Sequence, residues 1–281
     1  MRRRTVEWQV CGVCNYDCSY CIQSPKTRVG HPSSEEVSSF LDFFERLPGA
    51  WEVKMTGGEP FAFDEFLERI VPGLIERTPH TISVLTNLSA PRARLERFAT
   101  LTRGRLGIVS ASIHLEHVEI DAFVEKARAF RAAIDPSASM VINAVLVPGR
   151  LDRVDAARAA IEAAGLRFFP QVMKIGGGTF AYDDDDRAAV TRLVGITPNP
   201  RKANVAPSYR GRTCWTGAEY FVLTQRGDGW RCRTARRFDE GFLGNVHAGT
   251  FALRDAPSPC TYDICPCTVP ANRGMIEGVS S

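Results

Sequence analysis

Val6-Glu7-Trp8-Gln9-Val10, followed by Cys14-Asn15-Tyr16-Asp17-Cys18-Ser19-Tyr20-Cys21, is the stretch that decides the fold. The first five residues alternate apolar and polar side chains, as a half-buried strand does. They lead into a loop with cysteines at 14, 18 and 21. Three thiolates this close in sequence can wrap one face of a metal–sulfur cubane and leave its fourth iron without a protein ligand. Zinc is the alternative, but structural zinc takes four ligands, commonly in C-x₂₋₄-C pairs.

Outward from this loop, short β-like runs alternate with longer helical patterns. Trp51–Met55 precedes a helix over 63–77, Ile82–Leu85 one over 92–102, and Leu106–Ile113 one over 119–133. Met140–Val147 precedes a helix over 152–164, and Leu166–Val172 one over 184–194. With the first strand and a helix over 34–47, six strand–helix units in order predict a parallel sheet with right-handed crossovers. Ser33 or Ser34, Asp64 and Asp152 are the expected helix caps, and Asp183 to Asp186 suit a helix N-terminus. Ligand-binding residues in such folds sit in loops after the strands' C-terminal ends. Gly57-Gly58-Glu59-Pro60 follows the second strand. Two glycines let backbone approach a ligand, and Glu59 can accept from an ammonium group. Thr86 and Asn87 follow the third strand, Ser110 and Ser112 lie on the fourth, and Asn143 on the fifth. His114 and His117 close the fourth strand, and Arg150 and Gln171 are further candidates to face a pocket.

The 281 residues allow one large domain, or one of about 200 residues with a smaller appendage. Hydrophobic residues make up 44% and charged residues 24%, which fits a globular chain. A net charge of +3 is too small to argue for a nucleic-acid partner. No run of about 18 apolar residues predicts a membrane span, and Arg2-Arg3-Arg4 is followed by too short an apolar stretch for a signal peptide. A cytoplasmic location is expected. The nine cysteines form two groups, 11 to 21 and 214 to 267. In a reducing compartment such groups bind metal more often than they form disulfides. Cys11 reads as a small buried residue rather than a ligand. A linker is expected over 197–212, where Ile196-Thr197-Pro198-Asn199-Pro200 breaks the pattern. Beyond it, Tyr220–Thr224 and Trp230–Arg233 flank Gln225-Arg226-Gly227-Asp228-Gly229 as a β-hairpin.

The Cys14-x-x-x-Cys18-x-x-Cys21 spacing, with its aromatic Tyr20, resembles the signature loop of the radical S-adenosylmethionine (SAM) superfamily. Gly57-Gly58-Glu59-Pro60 resembles that family's GGEP motif, in register with the predicted strands. The resemblance implies a partial (β/α)₆ TIM barrel over 1–196 and a [4Fe–4S] cluster on Cys14, Cys18 and Cys21. SAM would chelate the open iron, and its cleavage would yield a 5′-deoxyadenosyl radical. It further implies that Tyr20, Gly57, Gly58, Glu59, Pro60, Thr86, Asn87, Ser110, Ser112 and Asn143 meet SAM. His114 resembles a Ser-x-His segment bordering the substrate in some branches.

Residues 213–281, with Cys214, Cys232, Cys260, Cys265 and Cys267, resemble the small α+β auxiliary-cluster "twitch" domain. That implies one further [4Fe–4S] cluster on four of the five cysteines, including Cys214 and Cys232. A zinc ribbon is the alternative. The resemblance implies a small polar substrate of sugar, aminocyclitol or nucleoside type, met in natural-product and antibiotic biosynthesis, since the chain offers no room for an N-terminal peptide-recognition domain. The expected outcome is oxidation, rearrangement or epimerisation. In epimerisation a spare thiol, with Cys232 and Cys260 among the candidates, returns the hydrogen atom, while His114 borders the reacting centre. An external electron donor of flavodoxin or ferredoxin type is the expected partner. Peptide modification is the second reading, and a non-enzymatic zinc scaffold the third.

Overall fold

The computed structural model describes residues 2–23 and 30–279; residues 1, 24–29, 280 and 281 of the predicted ranges lie outside them. Strands β1 (Thr5–Cys11), β2 (Glu52–Gly57), β3 (Thr81–Thr86), β4 (Leu106–Ser112), β5 (Ser139–Leu146) and β6 (Phe168–Val172) run in order. Each pairs in parallel with the next. Helices α1 (Ser34–Arg46), α2 (Val71–Arg77), α3 (Arg92–Leu101), α4 (Ile120–Ala133) and α5 (Leu151–Ala163) are the crossovers. This is the α/β partial barrel that alternation predicts. Trp8 turns outward from β1 onto Phe40 and Phe44 of α1, at ring-centroid distances of 4.8 and 5.0 Å. Its neighbours Glu7 and Gln9 therefore face the barrel interior, because strand side chains alternate.

After β6 come the short strands β7 (Lys174–Ile175) and β8 (Gly178–Thr179), then α6 (Asp184–Val194). The C-terminal part holds β9 (Thr213–Cys214), β10 (Tyr220–Leu223), β11 (Asp228–Trp230), α7 (Arg233–Arg237), β12 (Phe242–Asn245), β13 (Ser258–Pro259) and α8 (Val269–Asn272). β10 pairs in parallel with β1. With β11 and β12 it extends the barrel sheet to nine strands in the order β12-β11-β10-β1-β2-β3-β4-β5-β6.

Local details depart from the sequence expectations. Ser33 caps α1 in a capping box with Glu36, and Asp183 caps α6. Asp64 instead pairs with Arg94 of α3 at 3.1 Å, and Asp152 lies inside the first turn of α5. The helix expected over 63–77 contains a π turn at Phe66–Ile70, so its ladder is one residue wider there. The second hairpin strand ends at Trp230, two residues before Cys232. The Cys232 sulfur accepts from Ala235 N at 3.3 Å and so starts α7.

Arg273, just past α8, reaches across the foot of the barrel to the buried Glu52 of β2, at 2.5 and 2.7 Å. Arg273→Met should strand that carboxylate and lower stability by about 3 to 5 kcal/mol, as urea denaturation would report. Glu52→Gln combined with Arg273→Met should recover part of the loss.

Candidate active site

The cysteine loop leaves the C-terminal end of β1 and is held by backbone. Gly58 N donates to Cys11 O at 3.0 Å, and Glu59 N to Val13 O at 2.8 Å. This approach explains both glycines. A Cβ on Gly57 would stand 2.6 Å from Cys11 O, and one on Gly58 would collide with Val13 O. Glu59 then ties in the end of β3. Its Oε1 accepts from Thr86 Oγ1 at 2.7 Å and Phe61 N at 3.2 Å, and its Oε2 from Asn87 N at 2.6 Å. Asn87 Nδ2 donates to Asn15 Oδ1 at 3.0 Å, back onto the cysteine loop. A carboxylate has about four acceptor positions, so one remains for a further donor. Burial pushes the Glu59 carboxyl up to about 7, against the lowering effect of the bonds from Asn87, Thr86 and Phe61.

Ser110 and Ser112 lie on β4, and Ser112 sits beside Asn143 of β5 in the ladder. Asn143 Nδ2 donates to Ala111 O at 3.2 Å. Thr86 and Ser112 thus end β3 and β4, and Asn143 lies level with Ser112, three residues before β5 ends.

The three thiols of the loop form no disulfide. Burial, then the neighbouring Cys21 and Cys14, push the Cys18 thiol up to about 12. A thiol held up by burial and by neighbouring sulfurs becomes a thiolate beside them only around a cation, which is the chemistry of a metal–sulfur site. Cys11 is fully buried, its sulfur 3.6 Å from both Val13 O and Glu59 O, a packing residue as read from sequence.

His114 is tied to the cysteine loop. Its Nδ1 lies 3.3 Å from Cys18 Sγ and 2.9 Å from Tyr20 OH, and burial lowers its pKa to about 4. It is a neutral prop under the loop. Tyr16 stacks on His117 with centroids 4.5 Å apart. Glu116 takes Ser19 N at 2.8 Å and Ser19 Oγ at 2.5 Å, and pairs with Arg150 at 3.0 Å. Arg150 thus stands behind the loop rather than in a pocket. Asn15, Glu116 and the Tyr16–His117 stack carry no sequence signal as one surface, since only the fold brings them together. Cys18, Glu116 and His117 also offer ligand atoms within 4.8 Å of one another, but Ser19 and Arg150 already occupy the acid.

In the C-terminal part, Cys214 Sγ lies 3.3 Å from Thr216 Oγ1, and Cys260 and Cys265 pack beside it. Burial raises the Cys265 thiol strongly, followed by the charges of Cys267, Cys232, Cys214 and Cys260. Cys267 differs: its sulfur is 3.5 Å from Glu7 Oε2 on β1. Glu7, Lys54, Lys174, Tyr220, Arg233 and Arg236 are functional candidates that sequence reasoning misses. The available signal is a charge between apolar neighbours on a strand, as at Glu7 and Lys54.

Glu59 should leave a signature in the pH dependence of stability. Its folded pKa lies above its ordinary value, so its contribution is complete below about 4.5 and lost as pH rises through about 7. Urea titrations should show about 3 kcal/mol of that loss, and Glu59→Gln should flatten it.

The Radical SAM superfamily profile matches residues 8–153. No curated protein sequence matches the chain. Among solved structures, a histidine-tagged anSMEcpe with bound AdoMet is 14% identical, with a TM-score of 0.60, covering 88% of this chain and 78% of that one. SuiB of Streptococcus suis is 14% identical, with a TM-score of 0.61, covering 88% and 64%, so this chain spans just under two thirds of its length. BtrN in complex with AdoMet and 2-DOIA is 13% identical, with a TM-score of 0.50, covering 89% and 80%. These likenesses are of fold. The chain belongs to the radical SAM superfamily, whose members use a [4Fe–4S] cluster and SAM.

Proposed function

We propose that this enzyme removes a hydrogen atom from a small polar metabolite, for oxidation, rearrangement or epimerisation, in natural-product biosynthesis. The observation that carries the reading is the joining of the three unbridged thiols to the Gly57–Pro60 loop and the end of β3. Cys14, Cys18 and Cys21 hold the cluster. Gly57, Gly58, Glu59 and Pro60, with Tyr20, Thr86, Asn87, Ser110, Ser112 and Asn143, line the SAM position. Bound there, the two groups supply the 5′-deoxyadenosyl radical, given an electron from a flavodoxin- or ferredoxin-type donor. Glu59 offers its remaining acceptor position to the SAM ammonium group, and the Gly57 and Gly58 backbone admits it closely. His114, neutral and bonded within the loop, orients Tyr20 and Cys18.

Residues 213–281 are the auxiliary-cluster part, beyond the barrel of 1–196 and the connecting 197–212. Cys214, Cys232, Cys260 and Cys265 are the proposed ligands: Cys260 and Cys265 pack beside Cys214, and Cys265 feels the charge of Cys232 as well as those of Cys267, Cys214 and Cys260. Cys267, whose sulfur lies 3.5 Å from Glu7 Oε2, is the proposed spare thiol in place of Cys232 or Cys260. Zinc fits less well. Bonds of about 2.3 Å in a tetrahedron hold sulfurs roughly 3.8 Å apart, and no three of these sulfurs come within 4.8 Å among the described residues.

The polar barrel interior, with Glu7, Gln9, Lys54 and Tyr220, supports a small polar substrate. A second reading, peptide modification, draws support from the likeness to SuiB, a relative solved with its precursor peptide SuiA.

Reconstituted protein should transfer deuterium from a labelled polar metabolite into 5′-deoxyadenosine, and labelled peptides should give none. Label passing only from a peptide would reverse the choice. Cys265→Ala should lower iron from about eight to about four per chain, while Cys267→Ala should keep about eight.

A further inference from the structure

The barrel interior carries more positive charge than its own carboxylates answer. Glu7 is the buried acid at its centre. Arg233 Nε and Nη2 of α7 lie 3.2 and 3.4 Å from its oxygens, and Tyr220 OH of β10 donates to it. Burial opposes ionisation, but Arg233 and Lys54 hold the carboxyl down at about 2. Its acceptor capacity is thus largely taken.

Lys54 is the direct neighbour of Glu7 across the β1–β2 ladder and faces the same interior. Lys174 on β7 and Lys54 both lie within electrostatic reach of the Cys267 sulfur, as does Arg233. Two residues along β1, Gln9 Oε1 accepts from Arg236 Nη1 of α7 at 3.2 Å. Asp228 of β11 acts on Arg236, but its Oδ1 already accepts from Asn245 at 2.8 Å. At the barrel foot Glu52 is spent on Arg273. Among the described residues, neither lysine donates a hydrogen bond or forms an ion pair closer than 4 Å. Both are half-buried, and a confined ammonium without an acceptor is costly.

We infer that Lys54, Lys174 and Arg236 bind an anionic group of the substrate, a carboxylate or a phosphate, inside the barrel between the cysteine loop and the C-terminal cysteines. The group sits near the Cys267 thiol and completes the ammonium and guanidinium donors that the protein leaves open. It would exclude a purely cationic aminocyclitol, whose charge matches the wall. This inference rests on the proposed metabolite reaction and narrows its substrate class. The burial that lowers the Lys174 pKa to about 8 still leaves it mostly charged at neutral pH.

The test is calorimetric titration of the reconstituted holoprotein with SAM, at pH 7 and low salt, using inorganic phosphate and glutarate as separate probes. At least one probe should bind saturably, and the tighter one identifies the substrate's anion. Lys54→Met and Lys174→Met should each weaken that binding at least about tenfold, while Lys202→Met, on the exposed surface, should not. If Lys54→Met fails to fold, Lys174→Met on the half-buried β7–β8 hairpin decides. No saturable binding of either probe, or undiminished binding in Lys174→Met, overturns the inference. SAM binding is read in the same samples. Its absence in the unaltered protein sinks the proposed function, whereas normal SAM binding without anion binding sinks only this site.

Discussion

Two backbone hydrogen bonds, Gly58 N to Cys11 O and Glu59 N to Val13 O, are the constraint on which the site depends. They extend the β1–β2 ladder past the end of the sheet. They also clamp the start of the cysteine loop against the loop after β2. Everything nearby is then positioned at short range. Glu59, fixed by its own backbone, gathers Thr86, Phe61 and Asn87, and Asn87 returns to Asn15. Backbone this close admits no Cβ at 57 or 58, so the glycines follow from packing before any ligand is considered.

The rest of the loop is fixed from the opposite side. His114, Glu116 and His117, all past the end of β4, contact Cys18, Tyr20, Ser19 and Tyr16. A loop held by β2 and β3 on one flank and β4 on the other can present three thiols toward one centre. Helices and parallel strands supply the rigid frame, and the chemistry sits in the loops at their C-terminal ends.

Much of this is legible in the sequence because the signals are local. Alternating residues around Trp8, runs such as Ile82–Leu85, and the Ser33–Glu36 capping pair each act within a few residues. The cysteine spacing and Gly57–Pro60 are legible for the same reason. What the sequence hides is non-local. The pairing of β10 with β1 joins residues more than 200 positions apart, and no periodicity announces it. Cys232 caps a helix through its sulfur, which its place in the hairpin does not suggest. The convergence of Lys54, Lys174 and Arg236 draws on three separate elements, and only the tertiary fold brings them to one interior. His114, expected to border the substrate, bonds to Cys18 and Tyr20 of the cysteine loop, a link that no local pattern announces.

The central claim is that Cys14, Cys18 and Cys21 form a site with one open metal position for SAM. The most direct measurement is 5′-deoxyadenosine formation from SAM and a reductant by anaerobically reconstituted protein, beside Cys18→Ala. The account predicts product from the unaltered protein, and none from Cys18→Ala, which keeps the absorption of its C-terminal cluster. No 5′-deoxyadenosine from fully iron-loaded protein, or undiminished product from Cys18→Ala, would contradict it.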